Sequence, residues 1–322
     1  MKLNYKKLLK KSKFILAPMD EITNLPFREL CEKYGSSWTI SELTSADALI
    51  RNKVSYFRYQ KGNLKNNIVQ IFGNNQEVMA KASNYLEKEV DKEEIGEIDG
   101  IDINFGCPSP RLIKNGMGSK LLEKPKEIEK IVEKVVKNTS LPVSCKIRIG
   151  FKKPNYLKIS KILENCNIDL ISVHGRLTIQ GYSGKADWNS IYEIKKNLKI
   201  PVIGNGDVKN KLDLPKLKKV DGLMIGRSAI GNPLIFDKFK KAFKKEKVDN
   251  EDFEIKDKEK QKKLLLNYIK RLKELQNNKI DLKIIKTQTI QFLKNFNGSK
   301  NLRINIIKSN NYKEILKMIK NF

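Results

Sequence analysis

Short runs of aliphatic and β-branched residues alternate with longer amphipathic stretches through the first 240 residues. Residues 14–17, 38–42, 68–72, 100–104, 142–147, 170–174, 201–204 and 222–225 predict strands. Several of these runs are almost continuously apolar, as strands covered on both faces must be. The stretch 76–90 places Val78, Met79, Ala82, Tyr85 and Leu86 on one helical face, and 126–137 repeats Ile128, Ile131, Val132 and Val135 at helical spacing. Eight strands, each followed by a helix, is the count of a (β/α)8 TIM barrel, an α/β fold. A doubly wound sheet has similar elements, but the even spacing and the polar residues at the strand C-termini favour the barrel.

After Gly231-Asn232-Pro233 the texture changes, with no Gly or Pro from Leu234 until Gly298. Leu265, Ile269 and Leu272 form one helical stripe, and Ile285, Phe292 and Phe296 another. The division this predicts is a barrel over residues 1–240 and a small C-terminal all-helical domain over 247–322.

Charge adds to this picture. The chain has 65 Lys and Arg against 37 Asp and Glu, a formal net charge of +28. Residues 240–322 carry 23 basic and 10 acidic side chains, about two and a half times the charge density of the rest. A solvated helical face and a footprint for a polyanion both fit that excess. Of the basic residues only 9 are Arg, and Arg148, Arg176 and Arg227 stand at strand ends, where a planar fork has uses that lysine lacks. No apolar run approaches the roughly 20 residues of a membrane span. The basic segment 1–13 is followed by too short an apolar stretch for a secretory signal, so a cytoplasmic location is expected. Cys31, Cys107, Cys145 and Cys166 show no CxxC spacing, which argues against a zinc knuckle or a disulfide framework, and no metal is expected.

In a (β/α)8 barrel the chemistry sits at the C-terminal strand ends. Those ends here carry Pro18-Met19, Gln70, Asn104-Phe105-Gly106-Cys107-Pro108, Lys146-Ile147-Arg148, His174-Gly175-Arg176, Gly204-Asn205-Gly206-Asp207 and Gly226-Arg227. The last two pairs of loops, after strands 7 and 8, read as a phosphate cradle in which Arg227 can bind bidentately. Gln70 can donate to and accept from the pyrimidine edge of a flavin, and Lys146 can offset the charge of a reduced one. Cys107 lies in an irregular loop that presents its thiol at the mouth. The other three cysteines fall within helix or strand patterns and are expected to be buried.

The segments APM, VQIFG, DINFGCP, GMGSKLL, VSCKIRIG, SVHGR, QGYSGKADW, VIGNGD, GLMIGR and GNPLIF, in that order, resemble the tRNA-dihydrouridine synthases. The resemblance covers the chain from Phe14 to about Phe236. It implies an FMN-bound barrel that reduces the C5–C6 double bond of particular tRNA uridines, with NADPH (or NADH) as the reductant. The hydride would pass from flavin N5 to uracil C6, and Cys107 would protonate C5. By the same matches Gln70, Lys146, His174, Asn205, Gly206, Asp207, Gly226 and Arg227 would hold FMN, with Pro18 and Met19 covering it by backbone. Asn104, Arg148 and Arg176 become candidates for the uracil or RNA backbone. Asp20-Glu21 departs from the small residues common after APM, so these two carboxylates are not expected to be ligands. The basic tail corresponds to where the family carries its tRNA-binding domain, and a monomer is expected to suffice.

Two other functions compete. One is an FMN barrel acting on a free pyrimidine, as dihydroorotate dehydrogenases do, and the other is an RNA-binding barrel without catalysis. On the sequence alone, removal of 247–322 is expected to leave an FMN-loaded barrel inactive on tRNA, provided that the barrel stays folded.

Overall fold

The computed structural model describes residues 3–51, 53, 55, 58–248, 253–276, 281–294, 296 and 298–322. Its sheet is built from β1 (Phe14–Leu16), β2 (Thr39–Ile40), β3 (Thr44–Ser45), β4 (Asn67–Phe72), β5 (Gly100–Phe105), β6 (Val143–Gly150), β7 (Leu170–Leu177), β8 (Val202–Asn205) and β9 (Gly222–Ile225). All pair in parallel. β9 returns to β1, and β2 joins β1 to β4, so the sheet closes on itself. β3 extends the β2 position further along β4, which leaves eight staves: the expected (β/α)8 barrel.

The second stave differs in detail from the single run expected at 38–42. Ser41 Oγ accepts the Gln70 amide hydrogen at 2.9 Å, where a backbone carbonyl would have continued the ladder. The strand therefore breaks after Ile40 and resumes at Thr44. Two crossovers are also slight. Only the five-residue helix Ala46–Ile50 follows β3, and a 3-10 segment, Lys211–Lys218, follows β8 with Pro215 inside it. Proline removes an internal donor and disfavours a full α-helix there.

Interior-facing residues alternate with outward-facing ones along each strand, and their character changes with height. At the N-terminal end Ile15, Trp38, Ile40, Ile68, Leu170, Ile203 and Met224 pack together. A helix at Tyr5–Lys11 closes this end, inserting Tyr5 and Leu9 into that cluster. In the sequence, residues 1–13 read only as basic, although Leu3 and Leu8 pack beside Tyr5 and Leu9 on the same cluster. Above the plug, register places Gln70, Asp102 and Ser144 in one row, then Asn104, Lys146 and Ser172, then Arg148, His174 and Asn205. Residues two apart on a strand face the same way, so three polar rows rise toward the C-terminal mouth.

Beyond the barrel lie helices Lys258–Leu275, Leu282–Leu293, Ser299–Lys308 and Tyr312–Lys320. They are fastened to the first βα unit. Asn24 Nδ2 donates to the Tyr268 hydroxyl at 2.8 Å, and Arg271 forms a fork on Glu29 at 2.7 and 2.9 Å. Phe292 sets its ring edge-on against Phe27, with centroids 6.3 Å apart. One apolar cluster runs unbroken from the barrel helices to Ile319. Removing 247–322 would uncover Phe27 and Phe239, both fully buried, so the truncation would strip core from the barrel itself.

A measurable consequence follows for Phe292→Ala. It is expected to cost about 3–5 kcal/mol, the range for a buried aromatic truncated to a cavity. Chemical denaturation should still show one transition for barrel and helices together. Separate transitions would mean that the shared core does not couple them.

Candidate active site

The mouth of the barrel opens into a cleft of about 1130 Å³. Pro18, Met19, Gln70, Asn104, Cys107, Lys146, Arg148, His174, Asn205, Gly206, Asp207, Gly226 and Arg227 all line it. Among the residues given a catalytic, cofactor or substrate role from sequence, Arg176 alone does not. It is 1% exposed, and its guanidinium is consumed by Ser183 O, Gly184 O, both Asp207 carboxylate oxygens and His174 Nε2.

One side of the cleft suits a phosphate. Gly204 is held bare by Trp188, whose ring lies where a Cβ would sit, only 2.4 Å away. Gly206 has φ +125°, and a Cβ there would meet Ala186 at 2.6 Å. The backbone N–H groups of Gly206, Asp207, Arg227 and Ser228 meet no protein acceptor among the described residues. Gly226 lines the cleft, where a Cβ would touch Ala17 at 3.6 Å and Met19 at 3.9 Å. Asp207 is not itself a free ligand: it binds Arg176, Ala186 N and, at 3.1 Å, Arg227 Nη2, so its carboxylate orients the cations of this corner. Asn205 is similarly used, donating to Met224 O at 2.8 Å.

His174 is neutral here. Burial, and then the charges of Lys146, Arg148, Arg176 and Arg227, push its pKa down to about 2. Arg176 Nη1 stands 3.2 Å from His174 Nε2, and a guanidinium can only donate. The imidazole proton therefore resides on Nδ1.

The floor is a chain of amides. Gln70 Nε2 donates to Asp102 Oδ2 at 2.7 Å, and Asn104 Nδ2 donates to Gln70 Oε1 at 2.8 Å. Asn104 Oδ1 then accepts the N–H groups of Gly106 and Cys107 at 3.1 and 2.9 Å. Lys146 rises beside this chain, open only to the cleft, and burial lowers its pKa to about 8. Its ammonium has no hydrogen-bond or ion-pair partner among the described residues. A lone ammonium inside a barrel is costly unless a ligand answers it. The chemistry of this floor and of the free donors above it fits a planar cofactor with a phosphate tail and an anionic reduced form.

Cys107 is partly exposed, while Cys31, Cys145 and Cys166 are buried. Its thiol pKa is raised, chiefly by burial, so it stays protonated at neutral pH. Its carbonyl accepts from Ser119 N and Ser119 Oγ at 3.1 and 2.8 Å, which ties the loop to the segment Gly118–Glu123. Asp20 lines the rim with its carboxylate on Arg58 at 3.0 Å, and Glu21 turns to Lys283 at 2.7 Å.

The motifs assign no role to Asp102, Ser119, Tyr182, Trp188 or Ser228, which also shape the site. Asp102 opens the quoted DINFGCP, two residues before Asn104 on the same strand. Tyr182 and Trp188 lie within the quoted QGYSGKADW, and Ser119 within GMGSKLL. Tyr182 is stacked under the Arg227 guanidinium at 4.8 Å.

The closed parallel barrel gathers a glycine-lined corner, a buried lysine and a thiol loop at its C-terminal strand ends, the end at which α/β barrels carry their sites. The model of the dihydrouridine synthase (Dus) family matches residues 15–321, and the chain belongs to that family. A probable tRNA-dihydrouridine synthase of Aquifex aeolicus is 36% identical over 320 residues, covering 96% of each chain. The tRNA-dihydrouridine synthase B of Pasteurella multocida is 36% identical, covering 74% of this chain and 72% of its own. That of Vibrio cholerae is 38% identical over 70% of each.

The depressed His174 value has a pH signature. Unfolded histidine takes its proton near 6.5 and the folded one only near 2, so as pH falls the unfolded state binds the proton first. His174 therefore removes stability as pH drops below about 6.5, and this loss is absent above it. Between about pH 7 and 5.5 the stability gap between the parent and His174→Asn should shift by about 1 kcal/mol in the variant's favour. Urea titrations at both pH values read this directly, and a constant gap would show that His174 titrates normally in the folded protein.

Proposed function

We propose that this protein reduces specific uridines of tRNA to dihydrouridine, using FMN held over the strand ends and NADPH (or NADH) as reductant. The observation that carries this is the unpartnered Lys146 ammonium beside the Gln70–Asn104 amides, with the protonated Cys107 thiol facing the same cleft. When bound there, a reduced flavin supplies the hydride for uracil C6. Lys146 would offset the negative charge that such a flavin carries, and Gln70 and His174 would bind its polar edge. The free N–H groups of Gly206, Asp207, Arg227 and Ser228, with Arg227, would hold its phosphate, and Pro18 and Met19 would contact it through backbone. Cys107 holds at Sγ the proton delivered to C5, and its raised pKa keeps that proton available at neutral pH.

The three residues named for substrate divide by their geometry. Arg148 spends Nε and Nη1 on Gly106 O, Leu177 O and Gly181 O, leaving Nη2 for the uracil or a phosphate. Asn104 serves through the loop it holds, and Arg176 through Asp207 and the segment around Gly184. The target base must leave the RNA stack to reach this depth. The positive tail over 247–322 is proposed as the docking surface that supplies the salt-dependent part of tRNA binding.

Cys107→Ala is expected to purify yellow and to bind tRNA, with dihydrouridine formation slowed about 100-fold or more. An unchanged rate would remove Cys107 from acid catalysis. A purified parent protein that takes up no FMN would favour the non-catalytic barrel, and turnover of free uridine or orotate in preference to tRNA would favour the free-pyrimidine enzyme. Lys146→Met is expected to weaken FMN retention at least about tenfold, since it removes the cation facing the ring, as read by equilibrium dialysis.

A further inference from the structure

Asp102 opens the DINFGCP segment but does not line the cleft, and it ends the chain of amides that forms the site floor. It is fully buried at the middle of β5, in the row shared with Gln70 and Ser144. Its Oδ1 accepts from Ser144 Oγ at 2.6 Å, and that hydroxyl accepts in turn from Tyr5 OH at 3.3 Å. Its Oδ2 accepts from Gln70 Nε2 at 2.7 Å. A terminal amide can present either its oxygen or its nitrogen, so the direction is set by partners of fixed character at the two ends of the chain: the donating N–H groups of Gly106 and Cys107 above and the Asp102 carboxylate below. An ionised carboxylate can only accept. Gln70 must then turn its nitrogen down to Asp102 and its oxygen toward Asn104. Asn104 must answer with its own nitrogen, which leaves Oδ1 facing the amides of Gly106 and Cys107.

We propose that Asp102 is the positioning residue for the Cys107 loop, locking from below, through Gln70 and Asn104, the amide polarity that the Gly106 and Cys107 N–H groups require for that loop to be held for proton delivery. The polarity is transmitted over two side chains without any contact between Asp102 and the loop. Burial raises the Asp102 pKa to about 6, which leaves the group ionised at neutral pH with Lys146 as the nearest cation. The N-terminal helix takes part as well, because Tyr5 reaches Ser144 and so backs the carboxylate from below. The inference rests on the proposed role of Cys107 as the proton donor to C5.

The test is a double-mutant cycle between Asp102→Leu and Cys107→Ala in the FMN-loaded, full-length protein, read as the rate of dihydrouridine formation in tRNA. Asp102→Leu alone is expected to slow the reaction about 10-fold or more, and to slow the Cys107→Ala protein by less than about 2-fold, because the loop then has no thiol to place. A second readout needs no turnover. Cys107 is the one cysteine among the described residues that is not buried, so iodoacetamide reports on its loop, and alkylation should accelerate at least about 3-fold in Asp102→Leu. Additive rate effects together with unchanged alkylation would overturn the proposal. Should Asp102→Leu fail to fold or to hold FMN, Asp102→Asn carries the same cycle. Its amide matches the shape but no longer enforces the direction, so a smaller coupling of about 3-fold is expected and strict additivity would overturn the proposal. If Cys107→Ala has no effect by itself, the proposed function fails at the acid step, a result distinct from additivity.

Discussion

A cation and an anion sit inside the barrel, two residues and one strand apart, and the site is organised around them. Lys146 and Asp102 occupy adjacent interior rows, without touching closely enough to form an ion pair. Burial pulls the ammonium pKa down to about 8 and the carboxylate pKa up to about 6, and each favours the charged form of the other. Taking two charges out of water costs several kcal/mol each even after relaxation. The fold tolerates this because the carboxylate is saturated by Ser144 and Gln70, while the ammonium is left for a ligand. Stability alone would favour apolar residues in both positions, so their presence points to chemistry.

The apolar plug below makes this arrangement possible. Trp38, Ile68, Leu170, Ile203 and Met224 fill the N-terminal half of the barrel, and the helix Tyr5–Lys11 seals it. Water is therefore kept from the polar rows on that side, and the electrostatics of the floor act through protein rather than bulk solvent. On the far side the helices from Lys258 onward lock onto the first βα unit, the unit whose loop carries Pro18 and Met19. Gln288 Nε2 donates to Ile22 O at 2.8 Å, and Thr23 Oγ1 accepts from Met19 N at 2.9 Å. A surface proposed for RNA and a backbone proposed to cover the cofactor are thus two hydrogen bonds apart.

What the sequence revealed follows from how each feature is encoded. The staves were legible because strands covered on both faces must be apolar, and the strand ends were legible because the polar residues interrupt those runs abruptly. The break after Ile40 was not, since it depends on where the Ser41 hydroxyl points. The strand-end arginines look alike in sequence, yet Arg227 faces the cleft, Arg148 is shared with loop carbonyls and Arg176 is wholly internal. That difference is set by the carbonyls of Ser183 and Gly184 and by Asp207, which come near Arg176 only through the fold. Asp102 stands in the quoted DINFGCP, but its role was not legible there, because its partners Ser144 and Gln70 come to it only from the neighbouring strands.

The tail shows the same limit at a larger scale. The change of texture after Gly231-Asn232-Pro233 looks like an approaching boundary, and the tail's net positive charge looks like an independent RNA-binding module. The contacts made by Tyr268, Arg271 and Phe292 tell against mechanical independence. A module joined through a shared core cannot swing freely, so a tRNA seated on it would be presented to the cleft in a fixed orientation. The choice of uridine would then be made by the geometry of the Asn24–Tyr268 and Glu29–Arg271 junction, with the flavin-binding loops reading only the base that arrives.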